Sequence, residues 1–106
     1  MSLLFPSTIN RDVLMGDDII IGEESYITKE AQIGDGVTLG DRVTIAKNVF
    51  IGAKTSIGDD TLVKKDSVIG MNVTTGARVV IGIGVTVLDG AIVADDSVIP
   101  NGGAVP

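Results

Sequence analysis

A chain of 106 residues has room for one domain and a modest core. Its 44% hydrophobic content excludes disorder, yet no apolar run approaches the ~18–20 residues of a membrane-spanning helix. A net charge of −6 argues against nucleic acid and anionic membrane partners, and the absence of cysteine and histidine removes disulfides, thiolate metal sites and the commonest general base and metal ligand.

In chain order, Met1–Ser7 reads as a cap and not as a secretory leader. Leu3, Leu4 and Phe5 form an apolar run too short for one, and no basic stretch precedes them. The expected location is therefore the cytoplasm, and the expected division is a cap at 1–8 and one repeat domain at 9–106. From Ile9 a step of six residues lands on Met15, Ile21, Ile27, Ile33, Leu39, Ile45, Ile51, Ile57, Val63, Ile69, Thr75, Ile81, Val87, Val93, Ile99 and Val105. Every anchor except Thr75 is aliphatic. Glycine follows many of them, and the residue two before each anchor is small or β-branched almost throughout. Two inward residues around one outward residue make a short strand with period two. The remaining three residues turn the chain, and glycine is expected to supply turn conformations that a Cβ disfavours. A period of six wanders around a 3.6-residue helix, so a helical reading fails. The pattern predicts a solenoid of short parallel strands without an inserted loop.

The stretch Ile33-Gly34-Asp35-Gly36-Val37-Thr38-Leu39-Gly40-Asp41-Arg42-Val43-Thr44-Ile45 resembles the hexapeptide-repeat superfamily of acyltransferases and gamma-class carbonic anhydrases. Val87-Leu88-Asp89-Gly90-Ala91 and Ser97-Val98-Ile99-Pro100 are similar to the closing coils of such proteins. The resemblance implies an all-β, left-handed parallel β-helix with three hexapeptides per coil, about 5.4 coils in all. It alone implies the hand, since ordinary parallel crossovers are right-handed.

With three hexads per coil, positions 18 apart stack. The outward residues then fall into three faces. Face A carries Thr8, Tyr26, Thr44, Leu62, Val80 and Val98. Face B carries Leu14, Gln32, Phe50, Val68, Thr86 and Ala104. Face C carries Ile20, Thr38, Ser56, Thr74 and Ile92. Ordinary strand preference accounts for apolar residues on any face. The length of the stripe favours a subunit interface of Tyr26, Phe50, Leu62, Val68, Val80 and Val98. A homo-oligomer is expected on that basis, and the resemblance implies a trimer.

The corners differ in charge. The A-to-B corner gathers Arg11, Lys29, Lys47, Lys64 and Lys65 against Asp12, Glu30 and Asp66. The other two are acidic. In the C-to-A corner Glu24, Arg42, Asp60, Arg78 and Asp96 alternate in sign from coil to coil, a structural charge ladder that favours correct register. Its neighbouring column, Glu23, Asp41, Asp59, Ala77 and Asp95, reads either as a solvated acidic edge or as an attraction for a hard cation; the first reading is preferred and no metal site is assigned. Met1–Ser7 is expected to cap the first coil, and Pro100 and Pro106 to blunt pairing at the other end.

Family acyltransferases use a histidine base between subunits, and the carbonic anhydrase branch holds its metal with histidines. This chain has none, so no catalytic residue and no cofactor is carried over. The preferred expectation is a non-catalytic, rigid, self-associating scaffold. The alternative is a degenerate acyltransferase-like protein that binds an acyl-coenzyme-A-type ligand between subunits.

Overall fold

The structure is a computed structural model that describes residues 8–10 and 12–105. The proposed cap at 1–7, Arg11 and Pro106 lie outside the described residues. Seventeen strands of two residues recur every six positions from Thr8–Ile9 to Ala104–Val105, and no helix occurs among the described residues. The hexad period, read as a β-solenoid, is borne out.

The strands form three parallel sheets. The first runs through the strands beginning at Thr8, Tyr26, Thr44, Leu62, Val80 and Val98 in that order. The second joins those beginning at Leu14, Gln32, Phe50, Val68, Thr86 and Ala104, and the third those beginning at Ile20, Thr38, Ser56, Thr74 and Ile92. Register is a uniform 18 residues, as in Leu62↔Val80 and Phe50↔Val68. Faces A, B and C are thus the outer surfaces of the three sheets of a left-handed β-helix measuring 38 × 24 × 20 Å. Each paired strand is two residues and not three. The residue before it faces inward and enters the ladder through its carbonyl, as when Tyr26 N–H donates to Val43 O at 2.8 Å.

The core is an aliphatic column. Ile27, Ile45, Val63 and Ile81 stack in one sheet, Ile51 and Ile69 in the second, and Leu39 and Ile57 in the third. Burying a residue of this size is worth ~1.5–3 kcal/mol, and the stack repeats that gain at every coil. Four buried hydroxyls join it at the corners. Ser67 Oγ–H donates to Gly82 O at 2.7 Å and accepts Val85 N–H at 3.2 Å; Thr55 does the same with Gly70 O and Val73 N–H. Ser25 and Thr61 donate to Gly40 O and Gly76 O. No buried side-chain polar atom among the described residues lacks a partner. The one polar anchor, Thr75, has its oxygen tied to backbone: Gly58 N–H donates to Thr75 Oγ1 at 3.2 Å.

The turn glycines have a different role from the expected one. The left-handed conformation falls two residues after the glycine, at every sixth position from Asp18 to Gly102, and eleven of those residues are not glycine. Asp18, Glu24, Arg42, Lys54 and Asp60 all hold φ near +60°. The glycine after the anchor is required by close approach. A Cβ on Gly52 would stand 2.6 Å from the Gly70 carbonyl carbon, and one on Gly34 would stand 2.8 Å from Ala53 N, both in the next coil.

Candidate functional site

The three corners share one backbone turn and differ in what stands on it. In the B-to-C and C-to-A corners a glycine follows most anchors, and at Gly16, Gly22, Gly40, Gly70 and Gly76 the space of the missing Cβ receives a carboxylate from the coil above, whereas Gly34, Gly52 and Gly58 face backbone. Asp35 Oδ1 accepts Asp17 N–H at 2.8 Å, Asp41 accepts Glu23 N–H at 2.9 Å, and Asp59 accepts Asp41 N–H at 2.8 Å. Asp89 and Asp95 do the same for Met71 and Ala77. A glycine with an aspartate 19 residues later is therefore a clasp between coils. The column Glu23, Asp41, Asp59, Ala77 and Asp95 is thus more than a solvated acidic edge: three of its carboxylates bond backbone amides of the coil below. Among the described residues no cluster of three or more acidic side chains is arranged to hold a metal. The spacing of 19 is present in the sequence, but it runs across the columns of 18 in which the corners stack.

Beside these clasps stand two ion pairs. Arg42 Nε reaches Asp60 Oδ1 at 2.7 Å with a second bond of 3.2 Å from the other nitrogen, and Arg78 meets Asp96 in the same way at 2.7 and 3.3 Å. The hydrogen bonds from Arg42 and Arg78 hold the Asp60 and Asp96 carboxyls below the usual range. The structure brings together Arg42 with Asp60 and Arg78 with Asp96, both solvent-exposed pairs. Glu24 is not among the ion pairs.

The A-to-B corner is built otherwise. Its first turn position is Asn10, Thr28, Ala46 and Lys64 before Gly82 is reached, and their Cβ atoms fill the space that a clasping oxygen takes elsewhere. Gly82 restores the rule, with Asn101 Oδ1 accepting Ile83 N–H at 2.8 Å. Where the other corners carry aspartate, this one stacks Lys29, Lys47 and Lys65. Backbone bonds hold that stack in register: Asn48 N–H donates to Lys29 O at 3.0 Å, Asp66 N–H to Lys47 O and Gly84 N–H to Lys65 O, both at 3.1 Å. An open hollow of about 540 Å³ runs along this edge, lined by Tyr26, Thr28, Ala46, Ile83 and the lysines.

Of the six residues expected at a subunit interface, Tyr26, Phe50, Val68 and Val98 are exposed, whereas Leu62 and Val80 are half-buried within the single chain. Tyr26 borders the hollow. Leu14 on face B and Ile20 and Ile92 on face C are exposed as well, the last at 80%.

Residues 13–53 match the profile of the hexapeptide repeat of succinyl-transferase. No curated protein sequence matches the chain. Among solved structures, the acetyltransferase domain of PglB from Neisseria gonorrhoeae is similar with a TM-score of 0.92 at 19% identity, over 96% of this chain and 50% of that one. PerB from Caulobacter crescentus, in complex with coenzyme A and GDP-perosamine, gives 0.73 at 19% identity, over 96% and 49%. Serine acetyltransferase isoform 3 from Entamoeba histolytica, in complex with cysteine, gives 0.51 at 17%, over 88% and 34%. The chain spans about half the length of the structures it matches first. Residues 13–53 thus carry the hexapeptide repeat and the fold is a left-handed β-helix, and the neighbours named here are acetyltransferases or proteins captured with coenzyme A. No helix among the described residues is long and apolar enough to cross a membrane.

Proposed function

We propose that the chain is a self-associating β-helix of acyltransferase type that holds an acyl-coenzyme-A-type ligand between copies. The observation that carries this reading is the apolar series Tyr26, Leu62, Val80 and Val98 on one sheet, exposed at Tyr26 and Val98 and half-buried between them, set beside an open hollow at its edge. A flat parallel sheet with apolar side chains is a surface for another copy, and the seam between two copies is a cleft of the length of the helix. The coenzyme A bound in the PerB structure supports the choice of ligand class. The chain itself supplies no histidine, so binding, and not acyl transfer by a histidine base, is the activity assigned to it.

A trimer is the expected assembly. Light scattering at micromolar concentration should give a multiple of the 10.9 kDa protomer. Leu62→Glu should dissociate it, while Ser56→Glu on face C should not. A monomeric wild-type protein overturns the assembly. For the ligand, acetyl-coenzyme A at a hundredfold excess over its dissociation constant should add about 2.7 kcal/mol to stability and raise the melting temperature. An unchanged melting temperature with both coenzyme A and acetyl-coenzyme A would return the reading to a scaffold without ligand, which the absence of histidine favours.

A further inference from the structure

Two corners of the β-helix engage charged side chains in bonds between coils, through aspartate-to-amide clasps and two arginine–aspartate pairs. In the third the lysine side chains take part in neither. Lys29, Lys47 and Lys65 stack one above another at the coil repeat, ~4.8 Å apart along the backbone, with Lys64 beside the last of them. Like charges placed opposite each other in a sheet are destabilising. Asp12, Glu30 and Asp66 stand one residue further along the same turn. Asp66 is taken up by Asn48, whose Nδ2 donates to it at 2.9 Å, and no described carboxylate forms an ion pair with any of these lysines. The column also borders the 540 Å³ hollow.

We propose that this lysine edge is a binding site for a linear phosphoanhydride, an anion whose charges repeat along its length as the ammonium groups repeat along the edge. A single phosphate meets one rung or two; a chain of phosphates meets all three and relieves the repulsion between them. Lysine suits this role because each ammonium acts as a point charge on a flexible stem and needs no fixed fork geometry. The hollow beside this edge is the one the acyl-coenzyme-A reading uses, but tripolyphosphate has no acyl or pantetheine group, so its binding is measured separately from that ligand and from the assembly.

Isothermal titration with sodium tripolyphosphate at low ionic strength tests it. The wild-type chain is expected to bind tripolyphosphate about tenfold or more tightly than orthophosphate, with affinity falling steeply as salt is added. Lys47→Ala, at the middle rung, should weaken binding about fivefold, and Lys29→Gln should do the same if the first variant misfolds. Lys54→Ala, on another corner, should leave it unchanged. Adenosine triphosphate separates two sources of the same chemistry. Affinity equal to that of tripolyphosphate identifies the bare phosphate chain, and much tighter affinity identifies a nucleotide; both support the site. Tripolyphosphate binding no tighter than orthophosphate overturns the proposal. So does an equal loss in Lys54→Ala and Lys47→Ala, which would mark diffuse attraction to any lysine.

Discussion

The glycine-lined corners and the lysine-lined corner use the same turn and are held by different means. In the first kind a missing Cβ admits a carboxylate oxygen from the coil above, and that oxygen closes on a backbone amide. In the second kind Thr28 and Ala46 fill the space, no clasp forms, and lysines stand where aspartates would. The difference teaches that glycine here is permission for a neighbour's side chain more than freedom for its own backbone. A corner without it gives up an inter-coil bond and keeps its charges available to something else.

The comparison is broken most directly by adding methyl groups. Gly40→Val would drive side-chain carbon into the Asp59 carboxylate and the backbone of the next coil, with an expected loss of about 2–3 kcal/mol. The equivalent change on the lysine corner, Ala46→Val, should cost under about 1 kcal/mol because that position already accommodates a Cβ. Chemical denaturation of the pair measures both, and equal losses would refute the distinction.

A smaller effect comes from removing or adding a clasp. Asp59→Ala leaves the Asp41 amide unbonded and should cost about 1 kcal/mol. Conversely, Ala53 stands above Gly34 where other coils carry aspartate. Ala53→Asn should form the missing bond in the manner of Asn101 and gain about 0.5 kcal/mol. Lys47→Asn should form none, since Thr28 blocks the approach. Protection of the amides of Asp35 and Lys29 against hydrogen exchange reports each outcome separately: a rise at Asp35 and none at Lys29 is expected.

The smallest effect belongs to the exposed ion pairs. Because the Asp60 and Asp96 carboxyls titrate below their ordinary value of 3.8, their contribution is complete above that pH and is lost as pH falls through their lowered values. Melting temperatures of wild type and the double variant Asp60→Asn, Asp96→Asn should differ slightly at neutral pH and low salt. They should converge in strong acid, and also in molar salt. A difference that persists in both would mean the substitutions act through packing.

Much of the fold was legible in the sequence because the hexad repeats without insertion. One choice of phase fixes inward and outward residues for the whole chain, and a period of six excludes a helix. The three faces read from positions 18 apart are the three sheets, residue for residue. The lysine edge was visible as a charge difference between corners. What the sequence left undecided was contact between coils. Neither the role of glycine nor the destination of each carboxylate follows from a pattern along one coil, because both depend on how closely the next coil approaches. Of the eleven left-handed residues that are not glycine, Asp18, Asn48, Asp60, Asp66, Asn72 and Asp96 suit local preference, whereas Glu24, Glu30, Arg42, Lys54 and Arg78 carry no such signal. Sequence determined the period, the core and the faces, for these follow from local alternation of apolar and polar side chains. Tertiary structure alone decided the clasps, the ion pairs and the open edge, because each is a matter of ångströms between residues 18 or 19 apart.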